Sequence, residues 1–159
     1  MVNKIVLTPS TWYSIAFAAI EVYPNECMGA VIAEKRKNKG VFALSYQLAK
    51  RRHDSVETCS IEYLPLLDPK YYSLADYHSH PSHLDEKDQP IPSKDDFELS
   101  PLGNCDIIIK STRTRSCRKK LLKCERGKIY MHWNRFILIA MAYRRKEKEY
   151  VSLPLEIGR

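Results

Sequence analysis

His78 and His80 stand one residue apart in the segment DYHSHPSHLDEKDQPIPSKDD, Asp76 to Asp96. On an extended strand, residues two apart share a face, so two imidazoles at this spacing can meet on one metal ion. A catalytic zinc site takes three protein ligands and keeps a position open for water, whereas a structural site is closed by a fourth side chain. Asp96, in the first turn of a following helix, is the natural third ligand, and on residue type alone Asp95 is an alternative. A plainer reading covers part of the segment: Ser93 caps that helix and Asp96 lies near its positive end. It leaves the histidines unexplained. The two readings are compatible, because a cap that fixes the first turn also positions Asp96.

Such a site needs elements to hold it. KIVLT (Lys4–Thr8) reads as a first strand, and Pro9 or Ser10 opens a helix to about Val22, with Trp12, Ile15, Ala16, Ala19 and Ile20 at helical spacing. YPN (Tyr23–Asn25) ends it. MGAVIAE (Met28–Glu34) reads as a buried strand, KRKNKG as a charged turn and VFALSYQLAK (Val41–Lys50) as the strand's partner. SVETCSIEYL (Ser55–Leu64) and SLADYHSH (Ser73–His80) supply two more strands, the second carrying the histidines at its end. SKDDFELSPL (Ser93–Leu102) has a short helix's cap and acidic first turn. CDIIIKST (Cys105–Thr112), KIYMHW (Lys128–Trp133), FILIAMAYRR (from Phe136) and EYVSLPLEI (from Glu149) read as further strands, though FILIAMAYRR also suits a helix. No internal repeat or Pro/Gly-rich linker divides the chain. The expectation is one α/β domain over residues 1–159, with a mixed, curved β-sheet flanked by two or three helices.

The bulk composition sets limits. A hydrophobic content of 44% and a charged content of 28% over 159 residues belong to a globular chain able to bury a core. The longest apolar run, FILIAMAY, is far too short to cross a bilayer. The amino terminus carries Pro9, Trp12 and Glu21 and has no small-residue cleavage site. A cytoplasmic protein with no membrane partner is expected. The net charge of +7 gathers in Lys35–Lys39, Arg113–Lys123 and Arg144–Lys148, read as solvated turns and strand ends. With no nucleic-acid fold signature, nucleic acid is not the expected partner. The five cysteines (Cys27, Cys59, Cys105, Cys117, Cys124) are an odd number, which suits mostly reduced thiols. Cys117 and Cys124 are too far apart for a CxxC zinc knuckle, although a disulfide between them is possible.

Three separated elements, NECMGAVIAE (Asn25–Glu34), HSHP (His78–Pro81) and PSKDD (Pro92–Asp96), resemble the JAMM (MPN-plus) metalloprotease family in residues and in order. The family pattern is a glutamate before a small, glycine-containing strand, then HxHP, then a serine followed after two residues by an aspartate. That last spacing selects Asp96 over Asp95. The resemblance implies a JAMM/cytidine-deaminase-like fold and Zn2+ held by His78, His80 and Asp96. It also implies Glu26 as general base and acid, and Ser93 as the donor to the oxyanion. The chain departs from the pattern in one place. Twelve residues, Pro81 to Pro92, separate His80 from Ser93, five more than the family's usual spacing. The extra residues fall in SHLDEKDQ, which includes His83, Asp85, Glu86 and Asp88. A loop insertion with anchored ends costs little, so the ligand set survives it while the rim around the site changes.

A chain without partner domains resembles the stand-alone prokaryotic and archaeal forms. The resemblance implies a hydrolase, an isopeptidase or peptidase cutting after the C-terminal tail of a ubiquitin-like modifier, as deubiquitinases and desampylases do. One alternative keeps the chemistry and makes the substrate a sulfur-carrier protein adduct. Another, suggested by HPS and PxPS, is a RadC-like binding module associated with nucleic acid.

Overall fold

The computed structural model describes residues 2–35, 39–46, 68–82, 89–93, 96, 105–146 and 149–158. The first strand, β1 (Ile5–Leu7), leads directly into the helix α1 (Pro9–Glu21). Thr8 caps the helix: its hydroxyl accepts the Thr11 amide at 3.2 Å, and Pro9 occupies the first turn, where its missing N–H costs nothing. Thr11, Trp12, Ile15, Ala16 and Ala19 form the buried stripe. The Thr11 hydroxyl also donates to the Gly40 carbonyl at 3.1 Å, fastening the helix to the sheet. At the other end Tyr23 reaches the Ser82 carbonyl at 3.2 Å, so the chain leaves the helix at a fixed place beside the histidine-bearing strand.

Among the described residues nine further strands follow: β2 (Met28–Glu34), β3 (Lys39–Tyr46), β4 (Tyr71–Ser82), β5 (Cys105–Arg113), β6 (Leu121–Glu125), β7 (Lys128–Trp133), β8 (Phe136–Lys146), β9 (Glu149–Leu153) and β10 (Leu155–Ile157). They join β1 in one mixed sheet of order β10-β1-β3-β2-β4-β5-β8-β7-β6, with β9 also on β8. β4 and β5 run parallel at its centre, and β5 pairs antiparallel with β8 along its whole length. β8 is long enough to serve two partners on its other edge, β7 through Phe136–Ala140 and β9 through Ala142–Lys146.

The sheet curls until its ends approach. β10 lies parallel to β1 at one end of the strand order, and the Leu155 amide donates at 2.9 Å to the Gly127 carbonyl in the β6–β7 turn at the other. That turn has positive φ at both Arg126 and Gly127 (51° and 73°), as a tight two-residue hairpin requires. A Cβ on Gly127 would lie 3.2 Å from Pro154 Cα, so the close approach also uses the missing side chain.

Both faces of the sheet are covered at the centre, which explains the unbroken apolar run in β5. Cys105, Ile107 and Ile109 pack into the main core with Trp12, Ile15, Tyr77, Leu138 and Ala140. Ile108 points the other way, into a second cluster with Met141, Tyr143 and Tyr150.

The expected α/β domain with two or three flanking helices is overturned. Among the described residues the fold is a strand-dominated near-barrel with a single helix. FILIAMAYRR, which also suited a helix, is the strand β8: the doubly buried β5 needs a ladder partner along its full length, and tertiary pairing decides the short apolar run. The strand expected at 55–64 and the inserted residues 83–88 lie outside the described residues. Of the helix expected at 93–102, only Ser93 and Asp96 are described. β6 was not expected; it begins within the basic stretch 113–123 and runs past its end. Arg113, Arg115, Arg118, Lys119, Lys120 and Lys123 are all exposed there, as solvated strand ends and turns should be. Cys27 and Cys105 are buried, Cys117 and Cys124 exposed, and all four are free thiols.

Candidate metal centre

Along β4 the burial alternates, and His78 and His80 fall on the face opposite the main core. Their ring centroids are 4.8 Å apart. Ser79 between them turns to the other side and is fully buried. Its hydroxyl accepts the Cys27 amide at 2.9 Å, and its own amide donates to the Cys27 carbonyl, also at 2.9 Å. These bonds continue the β2–β4 pairing, in which Met28 faces His78, one step beyond the ladder. One residue further, the same register brings the backbone of Glu26 across from His80. The Glu26 side chain is half-buried. Burial pushes the neighbouring Cys27 thiol up to about 11, with Ser79 opposing the shift, so it remains protonated at neutral pH.

Asp96 arrives from a different part of the chain. Its Oδ1 lies 3.2 Å from His78 Nε2 and its Oδ2 lies 3.7 Å from His80 Nε2. The aspartate is fixed to its own loop by a reciprocal pair: the Ser93 amide donates to Asp96 Oδ2, and the Asp96 amide donates to Ser93 Oγ at 3.3 Å. This is the capping box expected from S-x-x-D, and it coexists with the carboxylate's approach to both histidines.

The donor set fits a small divalent cation. One ligand atom from each of His78, His80 and Asp96 lies within 4.8 Å of the others; around a tetrahedral zinc with bonds near 2.0–2.2 Å, neighbouring ligand atoms are roughly 3.4 Å apart. His78 Nε2 is buried and has no well-formed hydrogen bond among the described residues, although it faces a carboxylate oxygen. Burial costs are large for an unsatisfied polar atom, and a cation between the nitrogen and the carboxylate satisfies both. Protonation states suit the same purpose. Burial lowers the His80 pKa, the neighbouring His78 adds to this, and Asp96 opposes it. For Asp96, burial acts upward but is outweighed by His78 and the Ser93 amide, leaving the carboxyl at about 2. His80 is therefore biased toward the neutral form and Asp96 toward the anion, the forms that bind metals.

A family model described as prokaryotic homologs of the JAB domain matches residues 10–119. This chain belongs to the JAMM (JAB/MPN) family. Within the JAMM domain the His78, His80 and Asp96 cluster is the metal-binding triad typical of the family's zinc metalloproteases. A search of curated proteins found no match. Among the described residues no helix is long and apolar enough to cross a membrane.

Sequence reasoning missed the polar residues that surround the JAMM triad. Asp106 is 1% exposed on β5 and holds Arg145 of β8 through two bonds, Nε to Oδ2 at 2.8 Å and a terminal nitrogen to Oδ1 at 3.2 Å. Arg145 lies opposite Tyr150 of β9. The Tyr150 hydroxyl donates to the Asp96 carbonyl at 3.3 Å, and Tyr143 donates to the Pro90 carbonyl at 2.6 Å. Burial, reinforced by Asp106, pushes Tyr150 up to about 12, so it stays a donor. The only hint in the sequence was the pairing of one acid in an apolar strand with arginines at the end of another.

Proposed function

We propose that the protein is a zinc-dependent isopeptidase or peptidase that hydrolyses the bond after the C-terminal tail of a ubiquitin-like modifier. The observation that carries this reading is the convergence of His78, His80 and Asp96 in a chain of the JAMM family. His78, His80 and Asp96 would hold Zn2+, which when bound acts as a Lewis acid and lowers the pKa of a coordinated water to about 7.

In this reading the chain's own residues handle the protons. Glu26 takes a proton from the attacking water as its oxygen bonds to the scissile carbonyl carbon. It then delivers that proton to the leaving amine nitrogen as the C–N bond breaks. Ser93 Oγ accepts the Asp96 amide, which leaves its own O–H free to donate to the oxyanion that develops on the carbonyl oxygen. Ile91, 60% exposed two residues before Ser93, offers an apolar contact to the extended tail. The basic surface favours docking of an acidic modifier. Cleavage of a sulfur-carrier adduct would use the same residues with a different leaving group.

The test combines metal content by mass spectrometry with cleavage of a ubiquitin-like protein fused through its diglycine tail. Glu26→Ala should keep zinc and lose cleavage by about 10²–10⁴-fold, while His78→Ala should lose both. Full cleavage by the Glu26→Ala variant would refute the assigned general base. Full zinc content after replacement of both His78 and Asp96 would refute the ligand set.

A further inference from the structure

The three donors of the triad are held in unequal ways. His78 and His80 belong to a central strand laddered to β2 and β5 on either side. Asp96 is not part of the sheet. The Ser93–Asp96 box orients the carboxylate relative to its own backbone, but does not fix that backbone relative to the histidines. Something else must set this distance.

Apart from the approach of the Asp96 carboxylate to His78 and His80 on β4, the described contacts from the segment Gln89–Asp96 to the sheet lead to β7, β8 and β9. Tyr143, buried on β8, donates its hydroxyl to Pro90 O at 2.6 Å, and Tyr150 on β9 donates to Asp96 O at 3.3 Å. The two bonds grip the segment six residues apart, at its start and at the ligand itself. A third tie, Lys128 Nζ to Gln89 Oε1 at 2.9 Å, is exposed and therefore weak. The tyrosine rings meet edge to face with centroids 6.0 Å apart. They rest on Ile108 and Met141, on the same face of the sheet as the histidines. Arg145, anchored to buried Asp106, lies beside the Tyr150 ring at 5.7 Å. Both tyrosines lie beyond residue 119, outside the span matched by the family model.

We propose that Tyr143 and Tyr150 are positioning residues for the metal centre, clamping the Pro90–Asp96 segment to the sheet so that the third ligand is set at binding distance from His78 and His80. The proposal rests on the reading of His78, His80 and Asp96 as ligands. It makes the β8–β9 hairpin part of the metal site without supplying a ligand. Partners of this kind, hydrogen-bonded behind the ligands, typically contribute 10–100-fold to metal affinity.

The experiment is a zinc titration of the full-length apoprotein in competition with a chromophoric chelator. It uses wild type, Tyr150→Phe, Tyr143→Phe/Tyr150→Phe, Asp96→Ala, and the triple variant that joins the last two. Tyr150→Phe should weaken zinc binding by about 3–10-fold and the double variant by about 10–100-fold. Placed on Asp96→Ala, the two phenylalanines should cause no further loss, because the ligand they position is gone. An equal loss with and without Asp96 would show general loosening of the fold and overturn the proposal. Wild-type affinity in a folded Tyr150→Phe or double variant would also overturn it, even with the ligand set intact. If Asp96→Ala itself binds zinc like wild type, the ligand reading fails and the proposal falls with it. Should the double variant not fold, Tyr150→Phe alone decides the question, since it removes one hydroxyl from a half-buried ring.

Discussion

Ser79 is the residue through which the histidine strand holds the segment bearing Glu26, and its replacement by alanine is a sharp test of that connection. The hydroxyl is completely buried and accepts the Cys27 amide at 2.9 Å. Ser79→Ala removes the acceptor, yet the backbone bond from the Ser79 amide to the Cys27 carbonyl remains. The Cys27 N–H then stays buried without a partner, at a cost of about 1–3 kcal/mol. For a domain of this size, about 2–4 °C of Tm per kcal/mol applies, so the expected fall is roughly 2–12 °C. Urea unfolding should give the same loss with an unchanged slope. Zinc content should not change, because the ladders of β4 with β2 and β5 still hold His78 and His80. With Glu26 in its proposed role, cleavage of the diglycine fusion should fall by about tenfold, as a general base displaced by a fraction of an ångström loses reach. Ser79→Thr, which keeps a hydroxyl, should recover part of the loss. A Ser79→Ala protein as stable as wild type and equally active would refute the reasoning.

Asp106→Ala should cost about 1.5–3 kcal/mol in urea unfolding, because it removes the carboxylate that accepts two hydrogen bonds from the Arg145 guanidinium. Gly127→Ala should cost about 1–2 kcal/mol by the same assay, since a left-handed φ of 73° is imposed on an L side chain that also meets Pro154 at 3.2 Å. The metal-free protein should lose stability in acid in two windows, followed by Tm against pH in chelator. His80 has a folded pKa below 6.5, so the unfolded chain binds its proton first and stability falls as pH drops below that value. Asp96 moves from 3.8 to about 2 on folding, so its contribution is present above the unfolded value and is lost as pH falls toward the folded one. A metal-free protein whose Tm rises on acidification from neutral pH to 5 would contradict the His80 shift.

Much of the candidate site was legible because its pieces are local. The spacing of His78 and His80 encodes a shared strand face, and S-x-x-D encodes the box that turns Asp96 inward. The helix could be read from Pro9 and the stripe Trp12, Ile15, Ala16 and Ala19, although its cap, Thr8, reads in the sequence as the end of a strand. Other features depend on partners far away in the chain. Nothing near Asp106 announces that Arg145 will cross it, and nothing in EYVSL announces that Tyr150 will reach Asp96. The helix content was overestimated for the same reason: FILIAMAYRR suits either periodicity, and its neighbours β5, β7 and β9 make it a strand. β6 was hidden because LLKCE, with one lysine, one glutamate and mostly exposed side chains, gives no apolar alternation.

The parallel pairing of β1 with β10 joins residues 150 positions apart, Ile5 with Leu155. β1 also touches β3, but through a single register pair, Leu7 with Gly40. Most of the hydrogen bonding of β1 is therefore supplied by a strand synthesised about 150 residues later. Closing so long a loop is entropically unfavourable until the rest of the sheet is in place. A nascent chain still lacking β10 leaves β1 with an open edge, the kind of edge that recruits foreign strands. Residues 155–157 thus act as a seal, and removing them would be felt first at β1, 150 positions away in the sequence.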